Sequence, residues 1–209
     1  MKTAAKMKKT AEKILSEILQ DSRITNYLDM LKGQSEGRYT HCINVSKRSI
    51  LMGLYTDMYT KSELIELGRG GLLADIGYIK LPTELYEKSV SLNEGEYPDI
   101  QKHIEYSLEI AEELNMNAKV KEMISTHHER INGYGYPNQL TLNDLIEQDI
   151  IVAAADNYEA LIEDRPYRKA YPPLSALQMM LMQKDNEYTS RTINMLMLTV
   201  MDAQYPQFG

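Results

Sequence analysis

The sequence predicts an all-α fold on three observations. Apolar residues recur at helical spacing along most of the chain, no segment reads convincingly as an alternating strand, and Gly, Pro and Asn punctuate the helical stretches. With 209 residues, 43% apolar and 25% charged, the chain is most simply one domain with a substantial core. Tryptophan is absent and phenylalanine occurs once, which leaves the large aromatic role to 15 tyrosines, while 13 methionines can fill irregular gaps.

Residues 1–20 read as an amphipathic helix with Ile14, Leu15, Ile18 and Leu19 on one side and a basic first half of Lys2, Lys6, Lys8, Lys9 and Lys13. Such a helix can lie on a membrane surface or a partner. Its short apolar stripe favours packing on the domain or on a second subunit, as in a homodimer. Residues 1–33 are therefore expected to be one or more N-terminal helices packed on or preceding a domain that covers 34–209. Gly33 and Gly37 break the chain before a helix from about Arg38 to Tyr55, in which His41 and Val45 share a core-facing side. Cys42, the single cysteine, reads as a small buried helix residue rather than a ligand. It excludes an intrachain disulfide and fits a reducing cytoplasm.

Leu64 to Ala74 forms the next helical pattern, closed by Asp75 before Gly77 and a turn at Pro82. A carboxylate at the end of the apolar run Leu72-Leu73-Ala74 needs a partner, because burying an unpaired charge is expensive; it can cap the turn or bind a metal. Asn93 with Glu96 resembles an N-cap opening a helix to about Leu114, with Ile100, Ile104, Leu108 and Ala111 as its stripe and His103 on it. A link through Asn115 and Asn117 leads to a helix ending at His127-His128. Leu142 to about Leu161 reads as one long helix, and Asp156 follows its almost wholly apolar run Ile150–Ala155. Arg165-Pro166-Tyr167-Arg168-Lys169 is a compact basic segment, after which Pro172-Pro173 opens the last two helices.

The formal charge of −7 argues against a protein that coats DNA, although a small phosphate ligand needs only local positive charge. No apolar run approaches a membrane span, and the lysine-rich start lacks the apolar core of a secretory signal.

The chemistry concentrates in His127-His128-Glu129-Arg130-Ile131-Asn132-Gly133-Tyr134-Gly135-Tyr136-Pro137. Neighbouring side chains on a helix diverge by about 100°, so the two imidazoles are expected to serve two metals, or one metal from a helix end, rather than pack on each other. Gly133 and Gly135 free the backbone for positive φ, and the turn can set Tyr136 beside whatever the histidines hold. The chain has only four histidines, at 41, 103, 127 and 128.

Together with Ala74-Asp75-Ile76-Gly77, Asp156 and Arg165-Pro166-Tyr167-Arg168, this set resembles the HD-GYP family, a branch of the HD superfamily of metal-dependent phosphohydrolases, over roughly residues 38 to 200. The resemblance implies a helical bundle around a metal site. One metal would take Asp75, His103, His127 and His128; the other would take His41, Asp75 and Asp156, with Asp75 as the bridging catalytic carboxylate. It also implies one or two divalent ions, iron or manganese, and a cyclic dinucleotide as ligand, within second-messenger signalling that can involve protein partners. Tyr136 would line the pocket, Arg165 and Arg168 would steady phosphate oxygens, and Glu129 would orient a histidine. On the residues alone, Arg165 and Arg168 can equally be surface charges paired with Glu163 or Asp164, Tyr136 can be turn packing, and Glu129 can be an exposed helix-end acid.

Two positions depart from the family pattern. Where the family has His-Asp this chain has Ala74-Asp75, and where it has lysine after glycine this chain has Tyr78. The second metal thus lacks one imidazole. Because a deliberate His→Ala change would not account for Tyr78, natural divergence is the simpler origin. A further family glutamate stands here as Gly37, which argues against a third metal; Asn132, where the family often has Asp, keeps an Asx-type turn. The expectation is a cyclic di-GMP phosphodiesterase slowed by Ala74 and Tyr78. The alternative is an inactive module that binds the nucleotide or a protein. A phosphohydrolase acting on nucleotide monophosphates or alarmones fits the Gly-Tyr-Pro and Arg-Pro-Tyr-Arg segments less well.

Overall fold

The computed structural model describes residues 4–88, 95–165 and 168–204, apart from the side chains of 183–186 and 204. In chain order its elements are α1 (Ala4–Ile18), α2 (Ser22–Gln34), α3 (Glu36–Thr56), α4 (Lys61–Leu73), a 3-10 turn (Ile76–Lys80), α5 (Thr83–Tyr86), α6 (Tyr97–Glu113), α7 (Ala118–Thr126), α8 (Glu147–Ile162), α9 (Pro173–Glu187) and α10 (Ser190–Gln204). Among the described residues β pairing is confined to two isolated bridges, so the all-α expectation holds. No described helix is long and apolar enough to cross a membrane.

Local chemistry sets the helix starts. Asp21 caps α2, Ser35 caps α3 and Asn117 caps α7, each accepting a main-chain N–H, and Thr60 with Glu63 forms a reciprocal box on α4. The Ser35 cap corrects the expected break at Gly33 and Gly37: α2 runs through Gly33, and α3 starts at Glu36. The long helix expected from Leu142 also starts later, at Glu147. Asp144 Oδ2 accepts both the N–H and the hydroxyl of Thr141, a turn that competes with helix, and Asp149 Oδ2 then accepts from Ile146 N at 3.0 Å. The cap expected at Asn93 lies outside the described residues.

Helix α3 is the axis of the bundle, packed against α1, α2, α4, α8 and α10. The amphipathic face of α1, with Met7, Ala11, Ile14, Leu15 and Ile18 buried, lies on α3 and α4. Ile150 to Ala155 of α8 are all buried, which is why that run carries no polar face. Tyr158 and Tyr188, each 1% exposed, supply the large aromatic bulk that tryptophan and phenylalanine do not.

Candidate metal centre

Five elements bring their polar residues to one buried point. α3 carries His41, the corner after α4 carries Asp75, α6 carries His103, the end of α7 carries His127 and His128, and α8 carries Asp156. One donor atom each from Asp75, His103, His127 and His128 lies within 4.8 Å of the others, and so does one each from His41, Asp75 and Asp156.

The corner at Asp75 is built by Gly77 and Ser107. Gly77 N donates to Ser107 Oγ at 2.8 Å, and that hydroxyl donates to Ala74 O at 2.8 Å, so one residue of α6 clasps both sides of Asp75. A Cβ at position 77 would collide with His103 O and Ser107 N. Glycine there lets the corner sit directly on the helix that carries His103.

The histidine half of the cluster has its lone pairs exposed to one another. His103 Nδ1 donates to Ile100 O at 2.6 Å, and His127 Nδ1 donates to Ile124 O at 2.7 Å. A carbonyl can only accept, so in the neutral rings both Nε2 atoms are bare. These two atoms are 3.2 Å apart, and Asp75 Oδ1 lies 3.4 Å from one and 3.5 Å from the other. Oδ1 is buried without a hydrogen-bond donor. Burial, offset only in part by Asp75, lowers His103 to about 4, and burial with repulsion from His127 puts His128 well below its usual range. His127 is raised, because Asp75 outweighs the burial that opposes its charge. With the rings neutral, this knot of donor atoms has no proton between them and suits a divalent cation, which would displace the proton that Asp75 otherwise favours on His127.

In the carboxylate half the protein itself supplies cations to the acids. His41 lies between two acids, with Nε2 2.9 Å from Asp156 Oδ1 and Nδ1 2.9 Å from Glu163 Oε2. Burial opposes its charge, but Asp156 and Glu163 outweigh it and raise His41 to about 9. Asp156 is correspondingly lowered against its own burial, chiefly by His41. Asp75 Oδ2 accepts from Arg38 Nη1 at 2.9 Å and sits 3.6 Å from His41 Nε2. Burial would raise Asp75, yet the pull of His127, His103 and Arg38 holds it well below the usual carboxylate range.

The structure brings all six expected ligands together, and it changes several other expectations. The rings of His127 and His128 do touch, with centroids 4.0 Å apart, because α7 ends at Thr126 and helical divergence no longer separates them. Tyr136 stacks on His128 at 4.6 Å, and its N–H donates to His128 O at 3.2 Å. Gly133 has φ 76°, as expected, but Gly135 does not have positive φ. Glycine is required at 135 by close approach, since a Cβ there would strike Glu129 Cα and Arg130 N. Asn132 accepts from Tyr134 N at 3.1 Å, the Asx-type turn. Glu129 orients no histidine. Its two oxygens accept from Asn138 N at 2.7 Å and Leu140 N at 2.9 Å, holding the loop that carries Tyr136.

Arg168 is also corrected. It donates to the carbonyls of Ala160, Leu161 and Lys169 at 2.7 to 3.1 Å, which closes the C-terminal end of α8 and leaves its two terminal nitrogens engaged. Arg165 lies 3.7 Å from Glu163 and lines a cleft with Arg38, Ser35, Thr40 and Tyr86. His128 and Tyr136 line a second cleft with Arg130 and Asn157. Pro166 and Tyr167 lie outside the described residues.

Residues 6–193 match the family model described as HD domain. The chain belongs to the HD-domain family. Its Gly-Tyr-Pro loop and its relatives place it in the HD-GYP branch of HD domains. It is 31% identical over 135 residues to the 3'3'-cGAMP-specific phosphodiesterase 3 of Vibrio cholerae, covering 62% of this chain and 29% of that protein. It is 26% identical over 156 residues to the cyclic di-GMP phosphodiesterase PdeB of Borreliella burgdorferi, covering 75% of this chain and 41% of that protein. The chain thus spans less than half the length of these relatives. Among solved structures, the HD domain resembles Bd1817, a HDG"Y"P protein from Bdellovibrio bacteriovorus, with TM-score 0.65 and 18% identity over 92% of this chain and 70% of that one, a likeness of fold.

Reading the sequence alone misses Arg38. It lies three residues before His41, hence on the same side of α3, and that spacing was the available signal.

Proposed function

We propose that this HD domain is a metal-dependent phosphodiesterase that opens a cyclic dinucleotide, cyclic di-GMP or 3'3'-cGAMP, with slow turnover. The observation that carries the reading is the knot of bare nitrogens facing the donor-less Asp75 Oδ1. Iron or manganese suits this mixture of imidazole and carboxylate. When bound, such an ion polarises a phosphoryl oxygen and makes water a better nucleophile near neutral pH.

The chain's own residues supply the rest. His103, His127, His128 and Asp75 hold the ion, and the carbonyl bonds of Ile100 and Ile124 keep two of the rings turned inward. Tyr136, stacked on His128 at the edge of its cleft, offers a face to a base. Arg165, in the other cleft, offers a planar fork to phosphate oxygens. Slow turnover follows from Ala74, which replaces an imidazole donor with a methyl group.

The test is product formation from both cyclic dinucleotides with manganese or ferrous iron, using the chain as given and Asp75→Asn. The chain is expected to release linear dinucleotide slowly, and the variant about 100-fold less or none. A chain that binds the nucleotide without turning it over would instead support the second reading, a binding module, which the Ala74 substitution favours.

A further inference from the structure

We infer that Arg38 stands where a second metal would act, so that this centre holds a single divalent ion and a fixed guanidinium. The inference rests on the histidine half being a metal site and concerns only the other half. Three observations converge on it. Asp75 Oδ2, the oxygen turned away from the histidines, accepts from Arg38 Nη1 at 2.9 Å. The guanidinium sits over the Tyr78 ring, 3.7 Å from its centroid, and Tyr86 meets Tyr78 edge-on at 5.1 Å. Tyr78 in turn stacks on His103 at 4.7 Å, which ties the arginine's support to the metal-facing half.

The two departures from the family pattern thereby acquire one explanation. Ala74 removes a donor that a second ion would need. Tyr78, in place of lysine, removes a competing cation and provides the face on which Arg38 rests. A guanidinium beside Asp75 supplies positive charge permanently, with directional donors and no dependence on metal supply. One oxygen of each neighbouring acid is engaged as well, since His41 bonds Asp156 Oδ1 and Glu163 Oε2 at 2.9 Å each. A divalent ion entering here would meet Arg38 at short range in a poorly screened interior, where like charges repel strongly.

The experiment is a metal count. The chain, Ala74→His, Arg38→Gln and the double variant are loaded with manganese and desalted. Ions per chain are then counted by plasma mass spectrometry, and electron paramagnetic resonance distinguishes isolated manganese from exchange-coupled pairs. The chain is expected to hold about one ion, uncoupled, and Ala74→His alone to remain at about one. The double variant is expected to rise to about two, with a coupled spectrum. Two coupled ions in the unmutated chain would overturn the inference without reliance on any variant. So would a double variant that melts cooperatively, keeps the first ion and takes no second. No ion in any form would remove the metal-centre reading itself, an outcome distinct from both.

Discussion

The two halves of the buried cluster share Asp75 and differ in what its two oxygens meet. Oδ1 faces His103 and His127 across 3.4 and 3.5 Å with no hydrogen-bond donor, whereas Oδ2 is bonded to Arg38 at 2.9 Å. On the histidine side, main-chain carbonyls take the ring protons and leave lone pairs pointing inward. On the carboxylate side, His41 and Arg38 are cations already supplied by the chain. Donor atoms near one another are thus not sufficient evidence for a metal. The comparison shows that a site is told by which donors lack a proton or a counter-charge.

The largest expected effect breaks the histidine half. His127→Ala removes a nitrogen from the knot and is expected to lower metal affinity by about 100-fold or more, abolishing turnover with it. Titration with manganese checks this; unchanged affinity would mean that the ion, if any, sits elsewhere. Ser107→Ala is next. It leaves Gly77 N and Ala74 O without their shared partner and loosens the corner that carries Asp75. Stability is expected to fall by about 1–3 kcal/mol in urea unfolding, with roughly 10-fold weaker metal binding. Tyr136→Ala is expected to leave the metal count unchanged while weakening cyclic dinucleotide binding about 10-fold, through the lost stacking face. A change in metal content with unchanged nucleotide affinity would place Tyr136 with the ion rather than the ligand.

The sequence made the helical class legible through periodicity, and the positions of the four histidines, Asp75 and Asp156 through their place in the family pattern. It did not reveal how each was held. Arg38 looked like an ordinary residue of a helix start, because nothing local shows that α3 delivers it to a corner 37 residues away. Glu129 sits beside two histidines in sequence, yet the chain turns and gives it to the loop at 138–140. Arg168 reads as a phosphate ligand in its motif, whereas the free carbonyls that end α8 claim its donors. Each miss has the same cause: a polar side chain answers to the nearest unsatisfied main-chain group or charge in space, and that neighbour belongs to the fold rather than to the local sequence.

A third buried acid sharpens the contrast with the smallest expected effect. Asp149, 1% exposed, has one oxygen bonded to Ile146 N and the other without a donor, and among the described residues no cation is set against it as Arg38 and His41 are against Asp75 and Asp156. Burial pushes its carboxyl up to about 6, opposed by the Ile146 bond, aided by Glu122 and opposed again by the nearby Thr126 hydroxyl. In the unfolded chain it titrates near 3.9. Below about pH 4 both states hold the proton and the group costs nothing. Between about 4 and 6 the folded protein keeps a proton that the unfolded chain releases, so stability falls as pH rises, and above that window the loss is complete. Asp149→Asn keeps an oxygen for Ile146 N but has no charge to bury. In metal-free protein, the variant's stability relative to the parent is expected to rise by about 2 kcal/mol between pH 4.5 and 7.5. The histidines titrate alike in both proteins and cancel in the difference. If urea unfolding gave the same difference at both pH values, Asp149 would have found a counter-charge after all, and the distinction between its surroundings and the cationic half of the centre would collapse.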